Sequence, residues 1–259
     1  MMNSSKYTYF CILLLAIVSC SNNQTHFTYI HGAIVRGDTT TKKIALVFTG
    51  DEFGDGGTFI SETLGKEKIK ASFFLTGNFY RNKEFGPVIS KLIQDGNYLG
   101  SHSDRHLLYC DWTNRDSLLV SKKEFINDLD NSFNEMAKFG IKRTEARYYL
   151  PPYEWYNDSI AAWTDDLGLQ LVNFTEGTRS NADYTYPAMG NQYIDSKTIY
   201  NSIISFEQHS FSGLNGYILL IHIGTDSRRT DKFYFYLPKL IMELKSRGYR
   251  FVRINELLN

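Results

Sequence analysis

The 259-residue chain lacks several things, and each absence narrows what it can be. It has no net charge, with 28 basic residues against 28 acidic. That removes the electrostatic case for binding nucleic acid or another polyanion. It has only three cysteines, Cys11, Cys20 and Cys110. The first two lie in an N-terminal apolar segment, so Cys110 stands alone and no intramolecular disulfide framework is available. There is no long hydrophobic run: the apolar stretch from Phe10 to Val18 is too short for a permanent membrane span. There is also no internal repeat, no low-complexity block and no dinucleotide-type glycine motif.

What is present begins with that N-terminus. "MMNSSKYTYFCILLLAIVSCSNNQ" carries one Lys, an apolar run and then "IVSC". A small residue directly before Cys resembles a bacterial lipoprotein signal, with residues 1–19 removed and Cys20 acylated. An ordinary secretory signal cleaved nearby is the alternative. Both readings export the protein to the cell envelope, and the first anchors it to a membrane through Cys20. Residues 20–42 then read as a polar tether and N-terminal segment, and residues 43–259 as the folded domain. Hydrophobic residues make up 42% of the chain, enough for a real core, and aromatics 15%. The 18 Tyr and 18 Phe serve packing first, although Tyr-rich surfaces also suit sugars.

From Lys43 onward, apolar runs alternate with helical spacing. "KIALVFT", "ASFFLTG", "NYLGSH", "ARYYL", "LQLVNF", "YILLIH" and "YRFVRI" read as strands. Between them, Phe85, Val88, Ile89, Leu92 and Ile93 recur at helical intervals. Ser121 with Glu124 forms a capping-box pattern that opens a further helix. The alternation predicts a parallel sheet with helices outside, an α/β fold of the distorted (β/α)7 barrel type. A barrel demands that reactive residues sit at the C-terminal ends of strands. Asp51 and Glu52, His102, Pro152 and Tyr153, Asn173 and His222 all follow or end such runs.

His102 and His106 in "GSHSDRH" are four residues apart, so a helical turn would aim both rings at one cation. Two imidazoles and one carboxylate suit zinc, and also cobalt or nickel. His26, His31 and His209 carry no such pattern.

These motifs resemble, jointly and in order, those of the polysaccharide deacetylases with a NodB-like domain. "GSHSDRH" is similar to their H-[ST]-x-x-x-H motif. "LPPYEWYN" is similar to their Pro-Pro-Tyr loop, "ILLIH" to their last strand with its catalytic His, and "KIKASFFLTGNF" to their second strand. The resemblance runs from about Ile44 to Ile254. It implies removal of N- or O-acetyl groups from an acetylated glycan, with one divalent metal activating water. It assigns His102 and His106 to the metal, His222 to the general acid and the Tyr153 N–H to the oxyanion. Pro152, Trp155 and Leu220 become substrate contacts, with Leu219, Leu220 or Ile221 lining a small acetyl pocket. Asn173 is the candidate to orient His222, and Arg179 a further candidate for substrate contact.

The chain departs from the family pattern in three places. A gapless alignment puts Thr49 and Gly50 where the family has its two aspartates, base and ligand. Leu150 replaces the Arg before Pro-Pro-Tyr that holds the base. The D-x-x-D-W motif is not found, the region reading "NFTEGTRSNADYTYP". Carboxylates follow one and two residues late in "FTGDEFGDGG", which suggests a rebuilt loop with Asp51 as metal ligand and Glu52 as base, or the reverse. Two other readings stand beside this one. One is a glycan-binding protein with a degenerate site. The other is a glycoside hydrolase with an acid pair drawn from Asp51, Glu52, Asp55 and Glu154.

Overall fold

The computed structural model describes residues 27–259. The signal-type segment, Cys11, Cys20 and His26 lie outside the described residues.

Six parallel strands form the frame: β3 (Lys43–Gly50), β4 (Ser72–Leu75), β5 (Tyr98–Ser101), β6 (Tyr148–Tyr149), β7 (Gln170–Leu171) and β8 (Tyr217–His222). β3 is central, with β8 on one side and β4, β5, β6 and β7 in order on the other. β9 (Arg250–Val252) adds in parallel to the start of β3. Each strand falls inside an apolar run, and the shortest, β6 and β7, keep only two paired residues each.

The hairpin of β1 (Thr28–Ile30) and β2 (Ala33–Arg36) is a departure from expectation. It lies inside the stretch read as tether and N-terminal segment, yet it is part of the sheet. β2 pairs antiparallel with β8 at Arg36–Tyr217 and bridges Ile34 to Val172 just beyond β7. The Asn173 N–H donates to the Ile34 carbonyl at 2.9 Å. β2 thus fills the gap between β8 and β7, the two edges of the parallel sheet, and curls the sheet into a distorted barrel.

Among the described residues, seven helices lie outside the sheet: α1 (Gly57–Glu67), α2 (Gly77–Arg81), α3 (Gly86–Gln94), α4 (Lys122–Ala137), α5 (Asp158–Asp166), α6 (Ser196–His209) and α7 (Leu237–Ser246); the short α8 (Ile254–Leu257) instead packs Ile254 and Leu257 on the barrel interior. α4 opens with the expected capping box between Ser121 and Glu124. The two-residue period of the strands divides the core. Ile44, Leu46 and Phe48 of β3 face the helices, whereas Ala45 and Val47 join Phe74, Leu150, Ile218 and Leu220 inside the barrel. Gly100 on β5 allows this close interior, because a Cβ there would stand 2.6 Å from the Phe74 ring.

Candidate active site

The inward row of each strand continues past the barrel interior and becomes polar at the C-terminal end. After Ala45 and Val47 comes Thr49, after Phe74 comes Thr76, after Tyr98 and Gly100 comes His102, and after Ile218 and Leu220 comes His222. Thr49 is the register partner of His222 across β3 and β8. The same parity carries Asp51 inward. Its Oδ1 accepts from the Thr76 hydroxyl at 2.7 Å and from the Asn78 amide at 3.2 Å, leaving Oδ2 for another partner. Glu52, one residue on, is exposed. These residues meet at a cavity of about 590 Å³, whose lining includes Asp51, His102, His106, Tyr153, Glu154 and His222.

The histidine pair is arranged differently from the helical turn expected of its spacing. Residues 102–109 form no helix, and Ser103 (φ 74°) and His106 (φ 55°) adopt left-handed backbone. The rings still converge, with centroids 5.0 Å apart. The loop is tied down from below. The N–H groups of Asp104 and Arg105 donate to Asp128 of α4 at 3.2 and 3.3 Å, and the Tyr109 hydroxyl donates to the same carboxylate at 2.7 Å. The His102 Nδ1–H donates to the Leu150 carbonyl at 2.8 Å, since a carbonyl can only accept; its Nε2 lone pair is therefore free. Burial, with His106 adding to it, lowers the His102 pKa well below the ordinary value. Burial also lowers His106, against the pull of Asp51. Both imidazoles are thus neutral at neutral pH, the form that ligates metal.

Among the described residues, no three His, Cys, Asp or Glu side chains stand close enough together to hold a metal ion as placed. What fits a divalent cation is the donor set: two neutral imidazoles, one of them locked in the correct tautomer, and one carboxylate lining the same cavity.

His222 is oriented by Asp183, not Asn173. Its Nδ1–H donates to Asp183 Oδ1 at 2.6 Å, and its backbone N–H donates to Oδ2 at 2.9 Å. Burial disfavours the imidazolium, but Asp183 outweighs it with help from Glu154, and the His222 pKa is raised. Asp183 was missed because it lies 39 residues from its partner. The available signal was "SNADY", which keeps the Asp–aromatic half of the motif taken as absent. Asn173 instead donates from its side chain to the Glu154 carbonyl at 2.8 Å and so holds the Pro-Pro-Tyr loop.

Several expected contacts fall elsewhere. Leu220 is fully buried inside the barrel, Leu219 and Ile221 face the helices, and none of the three lines the cavity. Pro152 is buried behind the site. Trp155 stands outside the lining, its indole N–H on the Asp111 carbonyl and its ring under Arg115. Arg179 is exposed and does not line the cavity. Asp55 is engaged by the Thr225 N–H, the Tyr234 hydroxyl and Lys232, which tie the loop after β3 to the loop after β8. An aromatic rim replaces the expected contacts: Phe53, Trp112, Tyr153 and Tyr184 line the cavity and are each at least 40% exposed.

The departures from the family pattern have packing consequences. A Cβ on Gly50 would stand 2.6 Å from Ile223 and 3.0 Å from Leu75, so a side chain there requires Ile223 to move. Leu150 is a fully buried part of the barrel interior.

The family model for polysaccharide deacetylase matches residues 36–172. The chain belongs to the polysaccharide deacetylase family. It is 25% identical over 200 residues to a peptidoglycan-N-acetylglucosamine deacetylase of Bacillus cereus, covering 77% of this chain and 80% of that one. A bifunctional xylanase/deacetylase of Pseudobutyrivibrio xylanivorans is 24% identical, and the match takes in 95% of this chain but only 34% of the relative. Among solved structures, a peptidoglycan N-acetylglucosamine deacetylase aligns with a TM-score of 0.69 at 19% identity, covering 88% of this chain and 93% of that one. A pseudoenzyme of carbohydrate esterase family 4 from Bacillus anthracis aligns with a TM-score of 0.67 at 20% identity, covering 89% and 70%. The fold of this polysaccharide deacetylase family member is therefore the distorted barrel expected from its sequence.

Proposed function

We propose that the protein removes acetyl groups from a cell-wall glycan by hydrolysis that depends on one divalent metal. The observation that carries this is the convergence of Asp51, His102 and His106 on a cavity whose other side holds a His222–Asp183 pair. Asp51, His102 and His106 would hold the cation, zinc by donor chemistry, with cobalt or nickel also accepted. Such a cation, when bound, activates water and polarises the acetyl carbonyl.

The chain's own residues do the rest. The Tyr153 N–H stabilises the charge that develops on the carbonyl oxygen. His222, held by Asp183 with Nδ1 protonated, delivers a proton from Nε2 to the leaving nitrogen or oxygen. The exposed rings of Trp112, Tyr153 and Tyr184 offer apolar faces to sugar rings. Relatives named as peptidoglycan deacetylases support a cell-wall substrate. The glycosidase reading loses support because Asp55 is held in a structural network. Export and lipid anchoring through Cys20 are proposed on the Ser19–Cys20 pair after the apolar run. Among the described residues, no helix is long and apolar enough to cross a membrane.

Elemental analysis tests the metal reading. The purified protein should carry about one divalent metal per chain, and the His102→Ala/His106→Ala variant none. Equal metal content in the two would refute it.

A further inference from the structure

A hydrolysis of this kind needs a carboxylate to take the proton of the attacking water, and the usual place for it is empty of charge. Thr49 occupies that position on β3, and Leu150 occupies the position of its basic partner. Both are buried. The Thr49 hydroxyl is itself a buried polar group with no hydrogen-bond partner in the protein, and it sits in the cavity wall. A buried orphan of this kind signals that the cavity takes a polar guest.

Besides Asp51, five carboxylates lie in or beside the cavity. Asp183 is engaged by His222 through both oxygens, and Asp226 is bound by its neighbour Arg228. Asp55 is bonded to Thr225, Tyr234 and Lys232. Glu52 is exposed at the cavity mouth. Glu154 lines the cavity with His222, on the loop after β6.

Glu154 is also placed by an unusual backbone. Tyr153 (φ 58°) and Glu154 (φ 54°) are consecutive left-handed residues, neither of them glycine. The pair is braced from both sides. The Glu154 N–H donates to the Pro151 carbonyl at 3.1 Å, and the Glu154 carbonyl accepts from Asn173 at 2.8 Å. Strain held in this way accumulates where a side chain must be aimed.

We propose that Glu154 is the general base of this site, replacing across the cavity the carboxylate that β3 has lost. The assignment rests on the deacetylase reading above. In the step, a water proton passes to Glu154 while the water oxygen bonds to the acetyl carbon. His222 gives its Nε2 proton to the leaving nitrogen or oxygen as that bond to carbon breaks. The products are acetate and the free amine or hydroxyl, and the proton on Glu154 returns to His222 or to solvent.

The electrostatics agree with this role. Burial pushes the Glu154 pKa up to about 7, with Asp183 raising it and His222 opposing. That is where a general base serves best near neutral pH. Glu154 and His222 act on each other, Asp183 acts on both, and Arg229 is a weaker influence on His222; the pair in turn faces Tyr184, which burial and Glu154 raise, and His102 and His106, which burial and His222 lower. The base form is lost as pH falls through about 7, so Glu154 supplies the acidic limb of the rate profile.

The test compares Glu154→Gln with Glu52→Gln in the metal-loaded protein. Rates are measured on an N-acetylated chito-oligosaccharide and on an aryl acetate from pH 5 to 9. Metal content and the NMR titration of the His222 ring are followed alongside. Glu154→Gln should keep its metal, lose roughly 10²–10⁴-fold in kcat and lose the acidic limb. It should also shift the His222 titration downward, a readout independent of turnover. Glu52→Gln tests the competing carboxylate of the loop after β3: an acidic limb lost in Glu52→Gln and kept in Glu154→Gln would overturn the assignment. An acidic limb that survives Glu154→Gln, or an unmoved His222, overturns the assignment while leaving the deacetylase reading in place. A wild-type protein that releases no acetate from any acetylated substrate overturns both.

Discussion

Replacing Asp183 by Asn removes one charge from a buried contact and keeps its shape. Asp183 is 2% exposed and holds His222 through two hydrogen bonds, at 2.6 Å to Nδ1 and 2.9 Å to the backbone N–H. The amide retains one acceptor oxygen, so the backbone bond and the fold should survive. What goes is the charge that favours the imidazolium over the opposing effect of burial. A hydrogen bond to a charged group is worth about 1.5–3 kcal/mol. That amounts to roughly a 10- to 150-fold loss of the acid form at a given pH. Because the His222 pKa is raised in the folded protein, its acid form persists to higher pH than usual; Asp183→Asn should pull the alkaline limb of the rate profile to lower pH. The loss should depend on the leaving group. An amide must be protonated to depart and should suffer the full effect. An aryl acetate, whose leaving group departs unaided, should lose less than about threefold. Acetate release from both substrates across pH, with metal content as a control, provides the assay. Equal losses on both substrates, or no loss on the amide, would refute the assignment of His222 as an acid held by Asp183.

Two further perturbations follow from packing. Gly50→Asp, which restores one family aspartate, forces a Cβ to within 2.6 Å of Ile223; it should cost about 1–3 kcal/mol and lower the Tm by roughly 2–10 °C without improving turnover. Asp128→Ala strands two loop N–H groups and the Tyr109 hydroxyl; it should cost about 3 kcal/mol or more in chemical denaturation and weaken metal binding through the His102–His106 loop.

Much of this architecture was legible in the sequence because strand runs and their ends obey a strict period. "KIALVFT" and "YILLIH" announce buried strands, and parity alone carries Thr49, Asp51 and His222 to the inner rim. The hairpin of β1 and β2 was not legible. Its strands are only three and four residues long, β1 is fully exposed, and its role is to close a gap between elements far apart in the chain. The histidine pair was found for its spacing, but the helical geometry was wrong, because Ser103 and His106 take left-handed backbone that spacing does not encode. Asp183 escaped notice for a different reason. A single Asp in a polar loop carries no signal until the fold brings it under His222. Glu154 was visible as a carboxylate, while the burial that raises its pKa depends on the barrel around it.

The most direct test of the central claim is mass spectrometry of acetylated chito-oligosaccharides and peptidoglycan fragments incubated with the metal-loaded protein. The account predicts products lighter by one acetyl group with the glycan backbone uncut, appearing with the wild type and strongly reduced with His222→Ala, which should still hold its metal. Cleaved chains with every acetyl group retained, or intact substrate across the whole panel, would contradict it.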